Sequence, residues 1–172
     1  MKINPLVWSF RIQFLFGFIV CAALIAYALY ADKILGFDPC PLCIFQRVAF
    51  AALGVVGLLG ALHSPKSSGG RAVYGVLALI AGGIGIYLAG QHVYLQHLPL
   101  DQVPSCGPGL SYMMEAIPGY FDLIKEVLKG SGECAEVNWK WLGFSMPEWT
   151  LLCFVLLTLG AVIAAFKKRS EQ

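Results

Sequence analysis

Four cysteines of this chain have the spacing and surroundings of thiol–disulfide chemistry. Cys40 and Cys43 enclose only two residues, so a bridge between them closes a loop too small to add much stability through chain entropy. Such a pair serves better as a redox reagent than as a structural crosslink. Cys106 and Cys134 lie farther along the chain beside glycine-rich stretches, which let a thiol change partners but also fit ordinary loops. We call these four the candidate redox cysteines.

The residues around Cys43 favour its thiolate. Pro39 and Pro41 rigidify the approach, and an apolar helix is expected to begin near Cys43, where free N–H groups and the helix dipole stabilise an anion. Arg47 follows four residues later, on the same helical face and one turn deeper. An arginine at a membrane boundary is often only a snorkelling anchor. Beside a thiolate, we favour a functional role.

His92 and Gln96 share one helical face near the end of a later apolar segment. Both can donate hydrogen bonds to a carbonyl group of a small ligand, although interfacial packing is the commoner role of such residues. Zinc binding is the chemical alternative for the cysteines. Structural four-cysteine sites usually carry two C-x-x-C knuckles, and Cys106 and Cys134 do not form a second one, so we predict no metal.

The segments that position these residues are predicted to be membrane-spanning helices. The chain is 58% hydrophobic and 13% charged, with a mean hydropathy of +0.72, whereas soluble domains are about 25% charged. Four apolar segments each approach the ~20 residues that a membrane helix needs. They cover residues of about 12–30, 44–62, 72–90 and 147–166. We predict an all-α fold, a four-helix membrane bundle that forms one domain over residues 1–172.

Charge asymmetry orients the bundle. Seven of the twelve basic residues fall at the two termini and in the middle loop, which marks that side as cytoplasmic. Nine of the ten acidic residues fall on the opposite side, eight of them in loops of about 31–43 and 91–146 and Glu148 at the mouth of the last span. These loops hold the candidate redox cysteines, so we expect a disulfide-permissive compartment such as a bacterial periplasm. Cys21 and Cys153 lie within spans and are interpreted as small hydrophobes. No basic–aromatic pattern suggests nucleic-acid binding.

The second outer loop contains an amphipathic pattern. Residues 118–129 predict a short helix with Phe121, Ile124 and Leu128 on one face and charged residues on the other. We expect it to lie flat on the membrane surface. Within the bundle, lines of small residues such as Gly54, Gly57 and Gly60 predict close helix contacts.

The chain resembles the DsbB family of bacterial disulfide bond formation proteins over nearly its whole length. The resemblance rests on several motifs together, which are the run from Cys40 to Arg47 at the head of the second span, Cys106 and Cys134 in the second outer loop, and Cys134-Ala135-Glu136 followed by Trp139, Leu142-Gly143 and Met146-Pro147. One departure is Gln46, which stands where some relatives have an acidic residue.

The resemblance implies a multi-pass inner-membrane enzyme. It would take electrons from a periplasmic DsbA-type thiol oxidase of thioredoxin fold and pass them to ubiquinone, or to menaquinone when oxygen is scarce. Cys106 and Cys134 would face the partner, and Cys40 and Cys43 would face the quinone. Reoxidation is then expected through a bond between Cys40 and Cys106.

The same resemblance implies that Arg47, His92 and Gln96 contact the oxygens of the quinone ring. Two alternatives stay open at this stage. One is a paralogue with a different dedicated partner, or an enzyme like vitamin K epoxide reductase. The other is a non-catalytic membrane protein whose loops carry structural disulfides.

Overall fold

Helices dominate the computed structural model of the protein, which describes residues 9–99, 101–103, 115, 119–137 and 139–167. The elements in chain order are α1 (Phe10–Lys33), α2 (Pro41–His63), α3 (Ser68–Gln96), α4 (Tyr120–Lys129), α5 (Gly132–Ala135), β1 (Lys140–Trp141), β2 (Phe144–Ser145) and α6 (Met146–Phe166).

Four of these helices, α1, α2, α3 and α6, are long and apolar enough to cross a membrane. They contain 21 to 29 residues, and ~20 residues cover the ~30 Å hydrocarbon core. Each includes one of the segments predicted as a span. The predicted all-α membrane bundle is thereby confirmed.

Glycines set how closely the spans approach. On α2, a Cβ added at Gly57 would lie 3.0 Å from the Phe14 carbonyl oxygen of α1. On α3, the same addition at Gly82 would collide with the side chain of Thr158 on α6. The predicted small-residue faces therefore pack α1 against α2 and α3 against α6, as expected for helices that lack a hydrophobic driving force in lipid.

Aromatic stacking joins α2 to α6 in the centre of the bundle. The rings of Phe50 and Phe154 lie 3.7 Å apart between centroids and nearly parallel, at 11°. Phe154 is fully buried, and its ring occupies the space that a side chain at Gly85 would need. The close α3–α6 contact thus depends on glycine at that level.

The short helix of the outer loop packs on the end of the bundle. Val127 is buried in the core, and the Gln91 amide of α3 donates to the Leu128 carbonyl at 3.2 Å. Of the apolar face predicted from the sequence, Leu128 packs against the core, whereas Phe121 and Ile124 are exposed. The face that docks is centred on Val127, because contacts with the bundle bury this residue. Residues 116–118 lie outside the described part.

A tight hairpin leads into α6. Leu142 and Gly143 both have positive φ, 51° and 86°, which suits the turn between two paired strands. The indole N–H of Trp149 donates to the Trp141 carbonyl at 3.1 Å. At the start of α6, the Glu148 carboxylate accepts from the Ser145 N–H at 2.6 Å, one half of a capping box. These bonds fix the aromatic side chains near the helix end.

The glycine contacts yield a stability prediction. Gly82→Ala should lower the thermal stability of the protein in detergent, because the new methyl group meets Thr158 and overpacking costs about 1–3 kcal/mol. Gly83→Ala is the matched control, because nothing lies within 4 Å of its added Cβ. Thermal melts of both variants in the same detergent test this. Equal melting temperatures would contradict the close packing of α3 and α6.

Candidate functional site

Cys40 and Cys43 meet at the first turn of α2. Cys40 is the N-cap residue and Pro41 takes the first helical position, where a missing N–H costs nothing because no intrahelical acceptor is available. The two sulfurs lie 2.9 Å apart, so a disulfide between them needs little movement. The helix begins slightly before the start near Cys43 that the sequence predicted.

Cys134 approaches the same cluster from the second outer loop. Helix α5 carries it into the bundle, where its side chain is fully buried. Its sulfur hydrogen-bonds to Cys40 and accepts from the backbone N–H of Leu42 in the first turn of α2, and the Ser131 hydroxyl lies 3.7 Å away. The N–H groups of this helix end, expected to favour an anion at Cys43, thus also stabilise one at Cys134.

Cys40 and Cys134 differ in how strongly they hold a proton. The hydrogen bond from Cys40 lowers the pKa of Cys134 to about 6, although burial opposes this change. The contacts of Cys40 with Cys134 and Cys43 raise the pKa of Cys40. At neutral pH Cys40 therefore keeps its proton and donates it toward a Cys134 thiolate. Because the thiolate is the attacking form in disulfide exchange, Cys134 is the better nucleophile.

Cys106, the fourth candidate redox cysteine, lies outside the described residues. The expected bond between Cys40 and Cys106 therefore stays a prediction. The observed contact brings Cys134 to Cys40, which favours Cys134 as the cysteine of the second loop that meets Cys40.

His92 stands beside the sulfurs and is held by polar side chains of two other helices. Its Nε2 lies 3.9 Å from the Cys40 sulfur. On the opposite side of the ring, the Gln46 amide lies 3.0 Å from Nδ1. Gln46 in turn accepts from the Thr150 hydroxyl at 2.9 Å. His92 and Gln46 are buried, so these bonds satisfy polar groups that would be costly to leave unpaired.

Arg47 connects α2 to the end of α1. Its guanidinium donates to the Asp32 carboxylate at 3.2 Å and to the Ala28 carbonyl at 3.1 Å. The side chains of Arg47 and Asp32 are 22% and 17% exposed, so the ion pair sits at the edge of the bundle. The described bonds use two of the five N–H donors of the guanidinium.

A cavity of about 210 Å³ unites the site. Five of the seven residues singled out from the sequence line it, namely Cys40, Cys43, Arg47, His92 and Gln96. The Gln96 Oε1 atom is buried without a hydrogen-bond partner among the described residues. Most of the remaining wall is apolar, contributed by the outer ends of α1, α2 and α6. The cavity suits a flat, largely apolar ligand that carries a few polar atoms able to hydrogen-bond with the polar side chains of the wall.

The geometry also bears on metal binding. A ring nitrogen of His92 and the sulfurs of Cys40 and Cys43 lie within 4.8 Å of one another, close enough to share a cation. Two sulfurs bound to one tetrahedral zinc at about 2.3 Å each would stand roughly 3.8 Å apart. The observed 2.9 Å favours thiol exchange over a metal site.

Sequence reasoning missed several cavity residues. Thr150, Trp139 and Trp149 line the cavity, and the two tryptophans are typical of an interfacial belt. The sequence could have identified Gln46 and Thr150 as candidates for the site, because polar residues within a membrane helix often mark function. Cys153, interpreted from the sequence as a small hydrophobe, also lines the cavity, whereas Cys21 is buried in the core.

Comparisons with known proteins point to one family. The sequence model of a family described as Disulfide bond formation protein DsbB matches residues 10–164. The chain is 53% identical over 169 residues to Disulfide bond formation protein B of Xanthomonas axonopodis pv. citri, covering 98% of each chain. It is 45% identical over 162 residues to the protein of that name from Marinobacter nauticus, covering 93% of this chain and 95% of that one. For the Xylella fastidiosa relative the identity is 42% over 169 residues, with 98% and 97% covered.

The Cys40–Cys134 contact predicts a pH-dependent crosslink. A Cys43→Ser, Cys106→Ser variant, reduced and then treated with diamide, should form an intramolecular Cys40–Cys134 disulfide. Because the pKa of Cys134 is lowered to about 6, its thiolate persists above that pH and is lost as the pH falls through it. The rate of crosslinking, followed by mass spectrometry, should therefore fall only below about pH 6.

An additional Cys40→Ser substitution in the same background is the matched control and should abolish the crosslink. A rate that already falls below about pH 8.5, the range of an ordinary thiol, would contradict the assignment of the thiolate to Cys134.

Proposed function

This chain belongs to the DsbB family of disulfide bond formation proteins, and we propose that it reoxidises a DsbA-type thiol oxidase and passes the electrons to a membrane quinone. Membership of the family makes it a disulfide-forming oxidoreductase. The observation that carries the finer proposal is the contact of Cys40 with both Cys43 and Cys134 at the wall of one cavity. That contact offers a path for electrons from a loop to a ligand within the membrane boundary.

The first half of the proposed reaction is thiol–disulfide exchange. A thiolate of the partner attacks Cys106 of a Cys106–Cys134 disulfide, a mixed disulfide forms, and Cys134 leaves as a thiolate. The low pKa of Cys134 makes it a good leaving group. Attack by the second partner thiol on the mixed disulfide releases oxidised partner and the Cys106 thiol.

The second half transfers the oxidising equivalent between the two pairs. The Cys134 thiolate attacks Cys40 of a Cys40–Cys43 disulfide, which forms a Cys40–Cys134 bond and releases Cys43. Cys106 then attacks Cys134, which restores the loop disulfide and leaves Cys40 and Cys43 reduced. These exchanges move two electrons and two protons from the partner to the Cys40–Cys43 pair, with no external oxidant.

The cavity residues fit a quinone as electron acceptor. A bound quinone supplies the capacity to take up two electrons and two protons. The apolar wall suits its ring, and the unused donors of Arg47 can bind a ring oxygen. The Gln96 Oε1 atom, which has no hydrogen-bond partner in the described part of the chain, can accept from a hydroxyl group of the reduced ring. We propose ubiquinone as the acceptor, with menaquinone as the substitute when oxygen is scarce.

The proposed location is the bacterial inner membrane. The four membrane-spanning helices and the excess of basic residues at the termini favour both termini in the cytoplasm. In this proposed orientation the candidate redox cysteines face the periplasm, the compartment of the proposed thioredoxin-fold partner. Residues 1–172 then act as one membrane domain.

A quinone-reduction assay tests the function. Purified protein, supplied with reduced DsbA-type partner and ubiquinone, should form quinol and oxidised partner in equal amounts. Substitution of any candidate redox cysteine by serine should reduce turnover to background, because each sulfur takes part in an exchange step. Cys21→Ala, in the bundle core, is the control and should keep turnover close to that of the parent. Full turnover in any of the four serine variants would refute the relay.

Arg47→Lys should impair the quinone step alone. Lysine keeps the charge next to Asp32 but lacks the planar fork of donors, so we expect a raised KM for quinone, a slower quinol formation, or both. Exchange between reduced partner and the loop disulfide in a single turnover should be unchanged. Asp32→Asn is the companion variant. It removes the ion pair but keeps the planar donors of Arg47, so the two variants separate these two contributions. Unchanged quinone kinetics in Arg47→Lys would instead favour the interpretation that Arg47 is only a snorkelling anchor at the membrane boundary.

A further inference from the structure

A buried series of hydrogen bonds crosses the site from α6 through α2 to α3. The Thr150 hydroxyl donates to the Gln46 Oε1 atom at 2.9 Å, and the Gln46 Nε2 atom lies 3.0 Å from His92 Nδ1. All three side chains line the cavity. Gln46 and His92 are only 4% and 3% exposed, so water does not compete strongly for these bonds.

The donor and acceptor roles along this series determine the proton on His92. An amide nitrogen can donate but cannot accept, so Nδ1 must accept from Gln46. A neutral imidazole carries one proton, which then resides on Nε2. The Thr150 hydroxyl shares its single hydrogen between the Gln46 Oε1 atom at 2.9 Å and the Pro147 carbonyl at 2.8 Å, and the share directed to Gln46 supports this orientation of the amide.

The protonated Nε2 faces sulfur. It lies 3.9 Å from the Cys40 sulfur, within the cluster that includes Cys43. Cys40 directs its own hydrogen toward Cys134, consistent with the raised pKa of Cys40 and the lowered pKa of Cys134. The lone pairs of the Cys40 sulfur can therefore accept a hydrogen bond, and a donor at Nε2 complements them.

We propose that Gln46 is a positioning residue that fixes His92 in its Nε2–H tautomer, so that His92 donates a hydrogen bond to the thiolate that forms when the reduced Cys40–Cys43 pair loses a proton, before the pair closes to a disulfide. The inference rests on the proposed function for its chemical role. His92 keeps its proton throughout. The two electrons and two protons of the dithiol pass to the quinone, which becomes quinol.

Gln46→Glu reverses the polarity of the series with little change in size. A carboxylate only accepts hydrogen bonds, so Nδ1 must then carry a proton. The ring becomes either a neutral imidazole with a bare Nε2 or an imidazolium. Both forms differ from the parent at Nδ1, which makes the substitution a direct test.

Nitrogen-15 NMR of histidine-labelled, reduced, quinone-free protein in detergent reads the tautomer without any turnover. The chain has three histidines, and the His92 signals are those lost in a His92→Asn variant. His97 supplies an internal reference of the opposite tautomer, because its Nδ1 donates to the Val93 carbonyl at 2.9 Å. We expect a bare Nδ1 and a protonated Nε2 in the parent, and a protonated Nδ1 in Gln46→Glu. A protonated Nδ1 in the parent, or signals unchanged by Gln46→Glu, would overturn the proposal.

Thr150→Val removes the hydroxyl that orients the amide and should introduce a second population with Nδ1 protonated. Thr158→Val is the matched control, because its buried Oγ1 on the same helix has no hydrogen-bond partner among the described residues. It should leave the His92 signals unchanged. Identical His92 signals in both valine variants would remove Thr150 from the proposal.

Kinetics then connect the tautomer to the reaction. If the NMR spectra show a bare Nε2 in Gln46→Glu, a single turnover with quinone should oxidise the Cys40–Cys43 pair roughly five- to tenfold more slowly than in the parent, the effect of about one hydrogen bond. If they show an imidazolium, which keeps its Nε2 proton, oxidation should not be slowed. Exchange between the partner and the loop disulfide should proceed at the parent rate. An unaltered oxidation rate in a variant with a bare Nε2, or a slowed rate in one with an imidazolium, would overturn the role of His92. A parent protein that consumes no quinone would instead refute the proposed function and leave the NMR result standing.

Discussion

The site depends on the need to pair every polar group that is placed at the edge of an apolar bundle. A buried donor or acceptor without a partner costs about 1–3 kcal/mol, and an unpaired charge there costs more. Two polar side chains of α2 are therefore held by other helices, Gln46 by Thr150 of α6 and Arg47 by Asp32 of α1. These bonds determine both where the helices meet and which atoms face the cavity.

Close helix contact makes this pairing possible. Thr150 can reach Gln46 because the aromatic stack of Phe50 and Phe154 draws α6 against α2, and Gly85 provides the space for that stack on the α3 side. The catalytic end of the bundle thus relies on small residues two turns deeper. Substitutions at the glycines should disturb the chemistry through the fold, without touching a reacting atom.

The sequence predicted the four spans and five of the cavity residues, because apolar length and the Cys40–Cys43 spacing are local signals. It did not predict that Cys134 would share a hydrogen bond with Cys40. That contact depends on how α5 packs, which no periodicity encodes. The burial of Val127 on α4 likewise depends on contacts far away in sequence.

The ion pair between Arg47 and Asp32 also sets the electrostatic character of the cavity. Because Asp32 offsets the Arg47 charge, the remaining ionisable carboxyl groups of the wall, those of Asp38, Glu133 and Glu136, give the entrance a negative field. Anionic phospholipid headgroups are repelled by such a field, whereas a neutral ring is not.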